Sequence, residues 1–252
     1  MTAKVSRVRA WTDSLISFGC VVLMITAAKI AIAEPYYVPS GSMQPTLLIG
    51  DELLATKYPY GYSTASLPAS IVLPGTSRLF GALPERGDVV VFRWPGDGSQ
   101  VWVKRVIGLP GDRIALRSGR LWINGQPVGL RADGVGEAET DTGRQMPAAR
   151  FIETLPGSRE HAILRMRAPG HGDDLSEVEV PPDHLFVMGD NRDNSADSRF
   201  PVQAGGIGML PVANLIGRAD RLVGSWDLGI KSQPLWTWPS GLRLSRFFSA
   251  IH

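Results

Sequence analysis

The chain has 252 residues, 44% of them hydrophobic, enough to bury one large core or two modest ones in a domain with an insertion. Lys and Arg total 26 against 24 Asp and Glu, and a net charge of +2 is too balanced for an electrostatic nucleic-acid footprint. The single cysteine, Cys20, excludes an intramolecular disulfide and a CxxC site, and His161, His171, His184 and His252 lack any HExxH-like spacing, so no metal or other cofactor is expected.

Lys4, Arg7 and Arg9 precede the apolar run "LISFGCVVLMITAA", Leu15 to Ala28. If Lys29 snorkels, the run extends to Ala33, near the ~20 residues that span a bilayer. A buried core helix is one reading, and two export readings stay open beside it. In one, residues 1–13 are cytoplasmic and 14–33 form a retained transmembrane anchor. In the other the segment is a leader peptide cut after "AIA". Both send everything beyond Ala33 outward.

Past Glu34, "GDVVVFRWPG", "QVWVKRVIG", "DRIALR", "GRLWING" and "HLFVMGD" are short β-branched or aromatic runs bounded by turn formers. Hairpin turns are predicted at Ser118-Gly119 and Asn124-Gly125. Helical periodicity is scarce, so the body reads as antiparallel β structure. Residues 60–86 combine turn formers with Ile71, Val72, Leu73, Leu79 and Phe80, which suits either contact with lipid or packing beneath the loop. Residues 130–183 are polar and read as an inserted lid or second lobe. In the tail, residues 229–252, Trp236, Trp238, Phe247 and Phe248 interleave with Lys231, Arg243 and Arg246, as do interfacial segments and also segments docked on a core.

Three stretches bear on chemistry. "VPSGSMQPTL" sets Ser40 and Ser42 around a glycine, and a serine hydroxyl needs a neighbouring base before it attacks. His184 opens a strand and suits a polar cap better than a triad member. In "QVWVKRVIGLPGD", Lys104 shares a strand face with Trp102 and Val106, and Arg105 shares the other with Val103 and Ile107. Both faces are apolar, so one cation is expected to point inward. Only lysine can give up its proton there. "GDNRDNSADSR", Gly189 to Arg199, is dense in paired donors and acceptors and lacks the Gly and Glu of a calcium loop.

Together "EPYYVPSGSMQPTL", "GDELLATKYPYG", "RGDVVVFRWP", "VKRVIGLPGD" and "MGDNRDNSADSR" resemble, in order, the motifs of bacterial type I signal peptidases, the serine-lysine proteases that remove leader peptides. The resemblance implies a mainly β fold: an antiparallel catalytic lobe (34–111 and 185–228) with an inserted β lobe (112–184), behind one transmembrane helix at the inner membrane. It makes Ser42 the nucleophile, Lys104 the general base, and Ser40 with the Ser42 N–H the oxyanion hole. Ser195 would orient Lys104, Asp197 and Arg199 would pair, and Asp190 would support their loop. Tyr36, Val38, Met43, Leu47 and Val103 would line small-residue pockets selecting A-x-A sites in exported precursors, with lipid as the other partner. The missing disulfide, Tyr37 and Val101 depart from the family pattern. A dedicated conjugation or pilus-processing peptidase, and an inactive membrane-tethered assembly subunit, are the rival functions. Since "EPYYVPSGSM" belongs to the matched motifs, the N-terminal segment is expected to be retained.

Overall fold

A computed structural model describes residues 2–67, 78–140, 143–166, 170 and 172–252. The chain begins with one helix, α1 (Thr2–Ala31), on which Leu15, Ile16, Phe18, Leu23, Met24 and Ile25 are exposed. The expected span over 14–33 is corrected here: among the described residues no helix is long and apolar enough to cross a membrane. The physical reason is length. The run Leu15 to Ala28 gives about 21 Å of helix at ~1.5 Å per residue, against ~30 Å of hydrocarbon, and Lys29 follows it.

The helix gives way directly to β1 (Ala33–Tyr37), which pairs with β2 (Asp51–Thr56), and then come β3 (Val89–Arg93) and β4 (Val101–Gly108). Seven strands follow between β4 and the chain's return: β5 (Arg113–Arg117), β6 (Arg120–Ile123), β7 (Gln126–Pro127), β8 (Gly129–Glu139), β9 (Gln145–Leu155), β10 (Arg159–Arg165) and β11 (Leu175–Glu179). The return supplies β12 (His184–Met188), β13 (Leu210–Pro211) and β14 (Leu215–Ser225). The main sheet is antiparallel in the order β1-β2-β14-β3-β4-β12-β13, and the intervening strands form two smaller sheets, β11-β5-β6-β7 and β10-β9-β8.

The main sheet is apolar on both faces, which explains the unbroken run "VVVF" in β3. Val89 and Val91 join Val38, Met43, Leu47, Leu53 and Ile216 on one side, while Val90 and Phe92 join Val106, Leu185 and Leu215 on the other. The four-stranded sheet shares a core with this one, because Ile107, Phe186 and Met188 contact Ile114, Leu116, Leu121 and Ile123. Its two hairpin turns sit where the sequence places them. Ser118, Gly119, Asn124 and Gly125 all take positive φ, at 50°, 76°, 53° and 75°, as two-residue I′ turns require.

The polar stretch from residue 130 onward holds the long hairpin β8–β9, irregular between Ala132 and Val135, with β10 completing the sheet. Most of β8 is exposed, so it lacks the apolar alternation that identifies a strand in sequence. In the 60–86 segment, Arg78 gathers the carbonyls of Tyr60, Gly61, Val212 and Leu215, and Leu79 and Phe80 are exposed, whereas Ile71, Val72 and Leu73 lie outside the described residues. The tail forms short 3-10 turns laid on the main sheet. Arg246 pairs with buried Asp51 at 2.6 Å and Ile251 packs on the Leu53 cluster, while Trp236, Leu244 and Phe248 face outward.

Candidate active site

Ser42 sits in a single 3-10 turn, Gly41–Met43, and is 8% exposed. Two neighbouring segments fix the turn. The N–H of Asn191 donates to the Ser42 carbonyl at 3.1 Å, and its side-chain amide donates to the Gly41 carbonyl at 3.2 Å. On the other side the Glu139 N–H donates to the buried Gln44 side chain at 3.0 Å. A side chain at residue 41 would meet the Glu139 carbonyl at 2.5 Å, so this close approach requires glycine.

Lys104 lies on β4 opposite Val90, and its amine donates to the Ser42 hydroxyl at 2.8 Å and to the Val103 carbonyl at 3.0 Å. It is 4% exposed and stands 5.5 Å from the Trp102 ring centre. The Ser40 hydroxyl is 3.4 Å from that of Ser42. These groups lie at the floor of a cleft of about 890 Å³, walled by Tyr36, Val38 and Val103 and by Ser195 of the 189–199 loop. Met43 and Leu47 do not line it. Both are 0% exposed in the Val38–Leu53 core cluster, because the turn that lifts Ser42 to the cleft directs the next side chain inward.

Arg105, the next residue on β4, points to the other side of the strand and is 0% exposed. Its guanidinium grips Asp190 through two bonds of 2.8 and 2.7 Å and also donates to the carbonyls of Gly87 and His252. Thr46 donates to the same carboxylate at 2.5 Å. Burial opposes the Asp190 charge, but Arg105 beside it holds the carboxyl below the ordinary range. Both cations of "VKRV" are therefore buried, rather than one.

In the 189–199 loop, Arg199 pairs with Asp197 through bonds of 2.8 and 2.9 Å, and the Gly189 N–H donates to Asp197 at 3.0 Å. Burial again opposes that charge and Arg199 outweighs it, keeping Asp197 low. The Ser195 hydroxyl is buried beside the Asp197 carboxylate, and its proximity also favours the Asp197 charge. A methyl group on Gly189 would lie 2.3 Å from that hydroxyl and 2.5 Å from the Ser42 carbonyl, so the loop passes the Ser42 turn as closely as backbone allows. His184 caps its strand, with Nδ1 2.8 Å from the Pro182 carbonyl, and takes no part in the cleft.

Sequence reasoning missed Asn191, Thr46 and the buried pair Arg192–Glu153 that ties the loop to β9. The donor-rich "GDNR" was the available signal for Asn191 and Arg192. Glu153, in a strand of mixed polarity, gave none.

The chain matches the family described as "Signal peptidase, peptidase S26" over residues 11–224. It is 37% identical to the signal peptidase I of Rickettsia canadensis (strain McKiel) over 94% of this chain and 92% of that protein. It is 36% identical to that of Pseudomonas fluorescens, over 83% of this chain and 71% of that one. The crystal structure of a signal peptidase I from Enterococcus faecalis V583 shares 24% identity, covering 54% of this chain and 97% of that chain, with a TM-score of 0.32. With a family match across most of its length and relatives of this identity, the chain belongs to the signal peptidase I family, peptidase S26.

Proposed function

We propose that this chain is a membrane-associated endopeptidase that removes leader peptides from exported precursors through a Ser42–Lys104 dyad. The observation that carries the reading is the 2.8 Å contact between the Lys104 amine and the Ser42 hydroxyl, buried at the base of an open cleft. In the reacting state the neutral amine accepts the Ser42 proton as Oγ attacks the scissile carbonyl, and then passes that proton to the leaving amine. Charge develops on the carbonyl oxygen in the tetrahedral intermediate. The Ser42 N–H and the Ser40 hydroxyl are the donors within reach of it.

Tyr36, Val38 and Val103 leave room for small side chains, which accounts for an A-x-A preference. Membrane association is supported by the apolar side chains of α1 exposed between Trp11 and Ile25, since such a surface needs a cover that water does not supply.

The test is cleavage of an unrelated secretory precursor by the full chain in detergent. We expect cutting after A-x-A that is abolished by Ser42→Ala. A chain that leaves every precursor intact is a scaffold, and one that cuts only a dedicated partner is a specialised processor.

A further inference from the structure

The segment ahead of the catalytic body carries every part of an export leader. Basic Lys4, Arg7 and Arg9 precede the apolar run Leu15 to Ala28, which falls within the ~7–15 residues of a leader's apolar region. Ala31-Ile32-Ala33 then supplies small residues at the two positions an A-x-A preference reads, just before Glu34.

The fold holds that junction in a shape the cleft cannot take. A protease of this kind needs its substrate extended. Ala31 is still the last residue of α1, whereas Ala33 is already the first of β1. The Ala31 carbonyl accepts from the Tyr62 hydroxyl, and the Ile32 carbonyl accepts from the Lys57 N–H at 2.9 Å. Ala33 and Glu34 pair with Thr56 and Ala55 of β2.

One side chain fastens the arrangement. Lys57 is 3% exposed, and its amine lies 3.0 Å from the Glu34 carboxylate while donating to the Ser66 carbonyl at 2.8 Å. Tyr36 donates to the same carboxylate at 3.0 Å. Because β1 is the edge of the main sheet, its backbone pairs with one strand, β2.

We propose that the Ala33–Glu34 bond is a latent processing site for a second copy of this chain, kept closed by the Lys57–Glu34 pair and the β1–β2 ladder. The proposal rests on the Ser42–Lys104 reading. The chain's own Ser42 cannot serve, because Tyr36 and Val38, between the junction and Ser42, are walls of the cleft the junction would have to fill.

When β1 opens locally, Ser42 Oγ of the second copy attacks the Ala33 carbonyl and its proton passes to Lys104. The C–N bond then breaks, the proton goes to the Glu34 amine, and an ester joins Ala33 to Ser42. Water hydrolyses the ester, leaving an Ala33 carboxylate and restoring the serine. The products are residues 1–33 and a body beginning at Glu34. The rate follows the population of the opened edge.

The experiment uses the full-length Ser42→Ala chain as substrate and the active full-length chain as enzyme, in detergent below the thermal midpoint, with intact mass and N-terminal sequencing as readout. Adding Lys57→Met to the substrate should speed cutting at Ala33–Glu34 about tenfold, and Lys57→Arg, which keeps the cation, should cut more slowly than Lys57→Met. Should Lys57→Met not fold, Glu34→Gln opens the same pair from its partly exposed side and should show the same acceleration. Ala33→Phe should block cutting. The active chain is first shown to cleave an unrelated precursor, and if it does not, the dyad reading and this inference fall together. If it does, but leaves the Lys57→Met and Glu34→Gln substrates no more cut than their parent, or cuts them despite Ala33→Phe, this inference alone is overturned.

Discussion

Lys104 and Arg105 are consecutive on β4 and almost equally buried, at 4% and 0% exposure, yet they build two different regions. On one side of the strand the Lys104 amine donates to two neutral oxygens, those of the Ser42 hydroxyl and the Val103 carbonyl. On the other, Arg105 is locked by the Asp190 carboxylate, Thr46 and two backbone carbonyls. The strand's period of two sends one cation to the cleft and the other to the core. Burial alone therefore does not make a base: under the proposed mechanism the cation must also release its proton into a site open to substrate, which lysine can do and arginine cannot.

The largest expected effect breaks the comparison by exchanging the two chemistries. Lys104→Arg should lower kcat/KM about 10⁴-fold while the fold survives, because the charge is kept and the proton acceptor is lost. Arg105→Met should do the reverse. It strands the buried Asp190 carboxylate, so denaturant unfolding should show a loss of about 3 kcal/mol, while the folded fraction keeps most of its kcat. Appreciable turnover by Lys104→Arg would remove the general base from the mechanism.

Next in size is a change at the seam between the regions. Gly189→Ala introduces a methyl 2.3 Å from the Ser195 hydroxyl and 2.5 Å from the Ser42 carbonyl, so either the loop or the nucleophile turn must move. A displacement of this order should cost about 100-fold in kcat, with KM for a precursor little changed. Parent-like steady-state kinetics would show that the turn tolerates the shift.

The parts of this arrangement legible in the sequence were those written in local patterns. The I′ turns at Ser118-Gly119 and Asn124-Gly125 follow from residues that accept positive φ, and the apolar runs around β3, β4 and β12 mark strands buried on both faces. Ser42 and Lys104 stood out because a serine nucleophile needs a base and lysine rather than arginine can give up its proton, but their roles came from the resemblance to the family. Which way Met43 and Leu47 face was not legible, since the direction a one-turn 3-10 segment gives its side chains leaves no mark in composition; both are buried in the Val38–Leu53 cluster. The same limit hid Glu153. Its partner Arg192 is 39 residues away, brought close by a hairpin whose exposed strand leaves no periodic trace.

The pH dependence sharpens the comparison, because stability and activity should fall over different pH ranges. The Glu153 carboxyl is held at about 2, with burial opposing the charge and Arg192 and His161 outweighing it. Asp190 and Asp197 are also held low, by Arg105 and Arg199. All three are lower in the folded chain than in the unfolded one. Their contribution is therefore fully present above the unfolded values near ~4 and is lost as pH falls through the folded ones. The thermal midpoint should stay level down to about pH 5 and then decline toward pH 2, Glu153 accounting for on the order of 3 kcal/mol of the loss. Under the proposed mechanism, activity needs the uncharged Lys104 instead. On the acid side of that ionisation kcat/KM should drop about tenfold per pH unit while the midpoint is still flat. Parallel decline of the two curves would mean that the activity profile reports unfolding rather than the base.

The smallest effect is expected at Ser195, and it tests which region that residue serves. Its hydroxyl is buried in the cleft wall shared with Lys104, beside an Asp197 carboxylate that is held by Arg199. When the Ser195 hydroxyl is removed, Asp197 stays paired with Arg199 and no charge is stranded, so Ser195→Ala should shift the thermal midpoint little. If the hydroxyl acts, it acts during the reaction, when the amine must turn to take the Ser42 proton and a nearby oxygen steadies its orientation. Ser195→Ala should then lower kcat about tenfold, leave KM unchanged and keep the same pH profile. Asp197→Ala provides the contrast, because it strands a guanidinium that is 1% exposed and should lower the midpoint by several degrees along with kcat. Were Ser195→Ala to lower the midpoint without touching kcat, the residue would belong with Arg105 and Asp190, holding the fold, and the chemistry of the cleft would rest on Ser42, Lys104 and the oxyanion donors alone.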